Sequence, residues 1–162
     1  MKLSLFLQQH HEEIMNEWVN FASTLEPAAE NMSESELRDH GGGILRAIGQ
    51  DIETEQSARQ QQVKSQGHAS QEEASQTAAA LHGAERQAQG LTLTQLSAEY
   101  RALRATVLRL WLPKIDVMAA ETIKDMVRFN EAIDQALVES IMTYTRHTSH
   151  TRDMFLAVLG HD

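Results

Sequence analysis

The sequence predicts an all-α fold of five helices with a long last helix, and three observations predict it. Only two prolines occur in 162 residues, and residues that favour helices, such as Ala, Leu, Glu and Gln, are abundant. Apolar residues recur at spacings of three and four along most of the chain, which is the period of one face of an α-helix. Hydrophobic residues make up 41% and charged residues 23%, the balance of one globular domain with a buried core.

The first two helices are predicted on either side of Pro27. The apolar period runs over residues 4 to 25 and stops at this proline. The second helix begins at Ser33, which has capping-box spacing to Glu36. Three glycines at positions 41 to 43 lie within its apolar stripe, and each costs a helix roughly 1 kcal/mol against Ala. The sequence therefore predicts either a local kink there or the close approach of another helix.

The next two helices follow a polar segment at residues 54 to 72, whose Gln and Ser content predicts a connection. The third helix is predicted over residues 70 to 89, with a core face of small residues: Ala74, Thr77, Ala78, Leu81, Ala84 and Ala88. The fourth begins at the capping box of Thr92 and Gln95 and ends at Pro113. Its apolar stripe comprises Leu93, Leu96, Tyr100, Leu103, Val107, Leu110 and Trp111.

The fifth helix is predicted to run from Asp116 to Gly160, a length of about 65 Å at 1.5 Å per residue. Its apolar positions follow alternating steps of three and four with one additional step of four, which is a heptad seam with a stutter. The upstream half, from Ile123 to Leu137, is expected to serve the domain core. The downstream half has little else to pack on, so we expect it to form a dimer seam of Ile141, Tyr144, Thr148, Thr151, Phe155 and Val158.

Composition also restricts the functions that the chain can perform. The net charge of −9 argues against non-specific binding of nucleic acid and against docking on an anionic membrane. The sequence has no cysteine, which excludes disulfides and thiolate metal sites. It also has neither a signal-peptide pattern nor an apolar run of about 18 residues. We therefore expect a cytoplasmic protein.

The run from Phe155 to Asp162, Phe-Leu-Ala-Val-Leu-Gly-His-Asp, resembles the start of the phosphoacceptor box of sensor histidine kinases. In that family the His accepts a phosphoryl group from ATP and the acidic neighbour assists as a base. The resemblance implies these roles for His161 and Asp162. It further implies that residues 146 to 162 are a linker helix and the truncated start of a dimerisation and phosphoacceptor domain. The parent protein would then use ATP and Mg²⁺ and act on a cognate response regulator.

The chain itself is not expected to be an enzyme. Phosphoryl transfer needs a bound nucleotide, Mg²⁺ and positioning groups. The sequence contains neither a P-loop nor the glycine-rich loop of kinases, and the glycines at 41 to 43 are not followed by the Lys-Ser/Thr of a phosphate cradle.

A second resemblance covers most of residues 3 to 145. The segment from Gly90 to Trp111, which contains the run Glu-Tyr-Arg-Ala-Leu-Arg, is similar to the RsbRD-type N-terminal domain, as are His82 to Arg86 and Arg128 to Leu137. That domain takes its name from RsbT co-antagonist (RsbR) proteins of stress signalling and also precedes histidine-kinase cores. The resemblance implies that residues 1 to 145 form a sensory domain, which would be a globin-like, dimeric bundle without haem. It marks as signature or ligand candidates His82, Arg86, Tyr100, Arg101, Arg104 and Trp111.

Plainer roles are favoured for several of these residues. His82 is the best candidate for an axial haem ligand, but a surface or helix-capping role is favoured and haem is not expected. Tyr100 and Trp111 lie on the apolar stripe of the fourth helix, where packing is favoured over ligand binding.

The arginines of the fourth helix could bind an anionic ligand. Ion pairs are favoured for them instead: Arg101, Arg104 and Arg109 with carboxylates such as Glu85, Glu99 and Glu131. No metal site is expected, because adjacent histidines point about 100° apart on a helix and the pair His147 and His150 is flanked by arginines.

These observations leave three functions open. The chain could be the sensory and dimerisation input domain of a histidine kinase. It could be an RsbR-like scaffold that acts through protein partners. It could also be a globin-like sensor that binds a small molecule or haem.

Overall fold

The computed structural model describes residues 1–25, 32–54 and 77–160. Over these ranges the chain is helical and contains no strand, which confirms the all-α prediction. The helices are α1 (Leu3–Gln9), α2 (His11–Ala22), α3 (Glu34–Glu53), α4 (Ala78–Ala88), α5 (Leu93–Trp111) and α6 (Ala120–Leu159), with a 3₁₀ turn at Leu112–Lys114. One hydrophobic core joins them, and its largest apolar side chains are Trp18, Trp111, Phe6 and Phe129.

The first predicted helix is two helices, because the backbone of His10 leaves the helical region. The His10 ring stacks on Phe6 at a centroid distance of 4.5 Å, and its Nδ1 lies 3.1 Å from a carboxylate oxygen of Glu13. The break lets both halves bury their apolar side chains, α1 against α3 and α2 against α3 and α5.

Helix α3 contains all three consecutive glycines without interruption. The Ser33 side chain caps it by accepting a hydrogen bond from the Glu36 backbone N–H at 3.1 Å. A Cβ at Gly41 would lie 2.7 Å from the Trp18 ring. Close approach of another helix, rather than a kink, therefore explains this glycine.

Helix α4 begins at Ala78, and the side chain of Thr77 caps its N-terminus. Residues 70 to 76 of the predicted helix lie outside the described ranges, as does most of the predicted connection over 54 to 72. The predicted core face is wrong in part: Ala78 is partly buried against the core, and Ala74 lies outside the described ranges. Leu81 is 55% exposed, whereas the buried face carries Ala79, Ala80, His82, Gly83 and Arg86. The pattern missed this face because two of its five residues, His82 and Arg86, are polar.

Helix α5 follows the prediction closely. The capping box of Thr92 and Gln95 is formed in both directions. The predicted stripe is buried except for Leu93, which is exposed, and Leu110, which is partly buried. Pro113 lies in the 3₁₀ turn that follows the helix.

Helix α6 is one unbroken helix of 40 residues, about 60 Å long, and begins four residues later than predicted. Its buried residues are Arg128, Phe129, Ala132, Ile133, Gln135, Ala136, Ser140 and Thr143. This face is displaced by about one residue from the predicted seam, since Ile123 is exposed and Leu137 is only partly buried. The small residues on the observed face allow α4 to approach closely.

Candidate functional site

A buried polar network joins α3, α4 and α5 within the apolar core. His82 of α4 is completely buried. Its Nε2 lies 2.9 Å from a carboxylate oxygen of Glu99 on α5, and its Nδ1 lies 2.9 Å from the Nδ1 of His40 on α3. His40 is only partly buried, so the network runs from the surface to the centre of the bundle.

Arg86 and Glu99 form a fully buried ion pair at the inner end of this network. The guanidinium donates to both carboxylate oxygens, from Nε at 3.2 Å and from Nη2 at 2.8 Å. Burial raises the pKa of Glu99, but the hydrogen bonds and charges of His82 and Arg86 outweigh burial and hold this pKa below its usual value. The carboxylate is therefore ionised and acts only as an acceptor, which requires His82 to donate from Nε2.

Trp18 and Tyr100 complete the surroundings of His82. The Trp18 indole N–H donates to the backbone carbonyl of Glu99 at 2.9 Å. Both rings lie beside His82, with centroids at 5.8 Å for Trp18 and 6.4 Å for Tyr100. The two aromatic rings therefore cover the sides of the His82 ring that His40 does not contact.

The residues that follow His82 on α4 and Glu99 on α5 contact α6 at Ser140. Gly83 follows His82 and packs directly on the backbone of Ser140 in α6, where an added Cβ would lie 2.8 Å from the Ser140 Cα and overlap its carbonyl oxygen. Tyr100 follows Glu99, and its hydroxyl lies 2.5 Å from the Ser140 Oγ. Ser140 in turn donates to the backbone carbonyl of Ala79. Burial raises the pKa of the Tyr100 phenol, so the hydroxyl stays protonated and donates to Ser140.

The structure brings together three of the six residues that sequence similarity marked. His82, Arg86 and Tyr100 lie in or beside the network. The expected surface or helix-capping role of His82 is wrong, because Glu99 and His40 satisfy its ring nitrogens inside the core. Trp111 is a core residue outside this network, in agreement with the predicted packing role. Its indole N–H donates to the Met1 carbonyl at 2.9 Å.

The arginines that face outward from α5 have different partners from those predicted. Arg104 pairs with Asp134 of α6, and Arg109 pairs with Glu17 of α2. Arg101 is exposed. Ion pairing is thus confirmed for Arg104 and Arg109, while the predicted carboxylate partners are wrong.

Sequence reasoning missed four residues of the site: His40, Gly83, Glu99 as a core residue, and Ser140. Glu99 lies in the quoted Glu-Tyr-Arg-Ala-Leu-Arg run, directly before Tyr100 on the buried stripe. Its spacing of three residues from Leu96 and four from Leu103, both on the buried stripe, would have indicated that its carboxylate points inward.

The predicted dimer seam divides into two parts. Ile141 and Tyr144 are partly buried, and the Tyr144 hydroxyl donates to the Leu91 carbonyl at 2.7 Å, so this part belongs to the bundle. Thr148 and Thr151 are exposed, and each donates to the carbonyl four residues earlier. Phe155 and Val158 are 63% and 70% exposed, together with Met154, Leu156 and Leu159. His161 and Asp162 lie outside the described residues.

A groove between α1 and α3 is a second concave feature. It has a volume of about 350 Å³ and is lined by Leu7, Gln8, His11, Leu45, Arg46, Gly49, Gln50 and Glu53. Burial, and then the charge of Arg46, lowers the pKa of His11. A cation beside an apolar floor can bind the acid group of a small organic molecule.

The described residues contain no group of three or more His, Cys, Asp or Glu side chains that could hold a metal ion. Among the helices described above, none combines the length and apolar character needed to cross a membrane. Comparison of the chain with protein-family models, with curated proteins and with solved structures found no match.

Proposed function

We propose that the chain is the sensory and dimerisation input domain of a cytoplasmic two-component sensor histidine kinase. The observation that carries the proposal is the continuity of α6. The first half of this helix packs in the bundle through Phe129, Ile133 and Ser140. The same helix then continues, with exposed side chains, to the run that resembles a phosphoacceptor box. A movement of Ser140 within the bundle would therefore be carried along a stiff rod toward His161.

Two packings of the bundle on α6 would supply the switch. A signal can shift such an equilibrium only if it favours one packing over the other. The contacts of Gly83 and Tyr100 with Ser140 fix the height and rotation of α6 relative to α4 and α5. In the parent protein, ATP would supply the phosphoryl group for His161, Mg²⁺ would neutralise charge on the phosphates, and Asp162 would assist as a base.

The exposed end of α6 supports a homodimer as the working form. Five large apolar side chains lie exposed within six residues: Met154, Phe155, Leu156, Val158 and Leu159. Such a patch on a single helix favours association. The same end of a second copy provides a matching apolar helix, as in a two-stranded coiled coil.

Insertion of one residue after Thr148 in the full-length protein tests the rotational coupling. The insertion turns everything downstream by about 100° and should abolish the response of autophosphorylation to the stimulus. Insertion of seven residues, which nearly restores the original rotation, is the matched control and should retain the response. Equal responses in both variants would contradict the coupling.

An RsbR-like scaffold that acts through protein partners is the alternative from another class. Its bundle would need the same folded core but no phosphoacceptor downstream. The ten codons after Asp162 separate the two functions, because a kinase continues with Leu-Arg-x-Pro. A different continuation would remove the role proposed for His161 and leave the scaffold.

A sensor of a small molecule is favoured by the groove between α1 and α3, where the Arg46 guanidinium could bind a carboxylate. Haem is a poorer fit, because both ring nitrogens of His82 already have hydrogen-bond partners. Absorption spectra of protein from haem-supplied cells test haem directly. A Soret band that His82→Ala removes would support a haem site, and its absence would exclude one.

A further inference from the structure

We propose that His40 and His82 form a proton-uptake site that links the pH outside the bundle to the contact between α4 and α6. The two Nδ1 atoms lie 2.9 Å apart, which is hydrogen-bond distance between two groups of the same kind. His40 reaches the surface and His82 is fully buried. The pair would take up its proton whether or not the chain continues into a kinase.

The proton count at this pair follows from the fixed partner of His82. Glu99 is an ionised acceptor, so His82 donates from Nε2. In the neutral state, the bond between the rings then needs the hydrogen of His40 on Nδ1, pointing at the bare Nδ1 of His82. His40 is left with an unprotonated Nε2, the nitrogen that can accept a proton from solvent.

Uptake of one proton preserves the bond between the rings. The proton enters at Nε2 of His40, and the hydrogen between the rings passes to Nδ1 of His82. His82 becomes an imidazolium beside the Glu99 carboxylate, while His40 becomes neutral with its hydrogen on Nε2. A second proton would place N–H against N–H and break the bond, so the two rings titrate as one coupled group.

The charges around the pair are set by three helices. Burial, and then His82, lowers the pKa of His40. Arg86 of α4 acts in the same direction, whereas Glu85 of α4 and Glu36 of α3 raise this pKa. Glu99 of α5 stabilises the imidazolium form of His82. Because the influences on His40 together lower its pKa, the proton that enters there is taken up below the usual range of an imidazole.

Protonation of His82 acts next to the α6 contact because of the order of residues along each helix. His82 precedes Gly83, which touches the Ser140 backbone, and Glu99 precedes Tyr100, which donates to Ser140. The added charge strengthens the hydrogen bond from His82 to Glu99 and makes His82 compete with Arg86 for the same carboxylate, which changes how α4 packs on α5. Because Gly83 leaves no gap against Ser140, α6 must shift when α4 moves.

Nitrogen NMR of the ¹⁵N-labelled chain tests the proton positions without any substitution. Near pH 8, His40 should be in the Nδ1–H tautomer and His82 in the Nε2–H tautomer, with a through-hydrogen-bond coupling between the two Nδ1 nuclei. Near pH 5, His82 should be doubly protonated and His40 neutral. Independent titration of the two rings would overturn the proposal, as would absence of the coupling. Loss of the coupling when Zn²⁺ is added would show that the pair binds a metal, and this would also overturn it.

Spin labels test the link to α6. The sequence has no cysteine, so labels at Leu81→Cys on α4 and Arg146→Cys on α6, both exposed, report one distance. Between neutral pH and about pH 5 this distance should shift by roughly 1–2 Å, the scale of helix shifts in switching proteins. His40→Ala should remove the shift, and His150→Ala, at an exposed histidine of α6, should retain it. No shift in the labelled parent, or the same shift in His40→Ala, would contradict the link.

Discussion

Arg86 and Glu99 are the two residues that least resemble the rest of the core. Both side chains are buried to the same extent as the tryptophans. Each charge loses its hydration, and their mutual attraction offsets this cost only because two hydrogen bonds from the guanidinium and one from His82 satisfy the carboxylate. Removal of one partner leaves the other as an isolated buried charge.

Substitution Glu99→Gln should therefore lower the free energy of unfolding by about 3 to 5 kcal/mol. The amide keeps the shape of the side chain but leaves the Arg86 charge uncompensated. Asp134→Asn is the matched control, because it neutralises the carboxylate of the exposed pair with Arg104 and should cost less than about 1 kcal/mol. Urea denaturation measures both, and equal losses would contradict the burial argument.

Gly83 is required by the contact of α4 with α6. Gly83→Ala should lower the free energy of unfolding by about 2 to 3 kcal/mol, because the new Cβ overlaps backbone atoms of Ser140 that cannot move alone. Gly49→Ala in α3 is the control, since its Cβ would meet nothing nearer than 3.8 Å. That change should stabilise the protein by up to about 1 kcal/mol through helix propensity. Urea midpoints that fall equally for both would show that the α4–α6 contact is not the cause.

Acid should destabilise the protein in two steps. Burial lowers the pKa of His40 and of His11 in the native state, so between the native values and the usual value near 6.5 the unfolded chain binds more protons. Stability is complete above this window and falls as pH drops through it. The lowered pKa of Glu99 adds a second loss at lower pH, as the pH falls through its native value.

Urea midpoints measured from about pH 8 to about pH 2 test this order. His40→Ala should weaken the dependence in the upper step and leave the Glu99 step in place. Stability that rises between neutral pH and about pH 5 would contradict the sign of both histidine shifts.

At the scale of the helices, prediction from sequence succeeded where the signals are local. The capping box of Thr92 and Gln95 and the apolar stripe that follows it define α5. The start of α3 at Ser33 was equally predictable from the sequence. The buried face of α4 was not, because its polar members His82 and Arg86 are satisfied by Glu99, on another helix. The spacing of apolar residues cannot reveal a helix face whose buried side chains are charged and paired.

The contact of α6 with α4 shows the same limit in a different form. A heptad pattern selects the largest apolar residues, but the observed contact uses two of the smallest residues, Gly83 and Ser140. Close helix approach needs small side chains, and their positions carry no hydrophobic signal. The length and continuity of α6 were predictable from its period, whereas its rotation by about one residue was not.

At the scale of the whole molecule, α6 divides the chain into a packed bundle and an unpacked rod. Side chains from residue 145 to 160 are exposed, apart from the partly buried Ser149. A chain shortened after Arg146 should therefore unfold at the same urea concentration as the longer chain, measured at one protein concentration where both are monomeric. A large loss of stability would show that the rod belongs to the folded core.

The oligomeric state should depend on the last two turns of that rod. Phe155→Ser with Val158→Ser removes the two exposed apolar side chains of the seam, so a dimer held by the seam should dissociate to monomers, as measured by light scattering during size-exclusion chromatography. Leu112→Ser with Val117→Ser, at exposed apolar residues before α6, is the matched control and should leave the dimer intact. Both side chains of each pair point away from the core, so circular dichroism should be unchanged in all variants. A dimer that survives the seam substitutions would place the interface on the bundle.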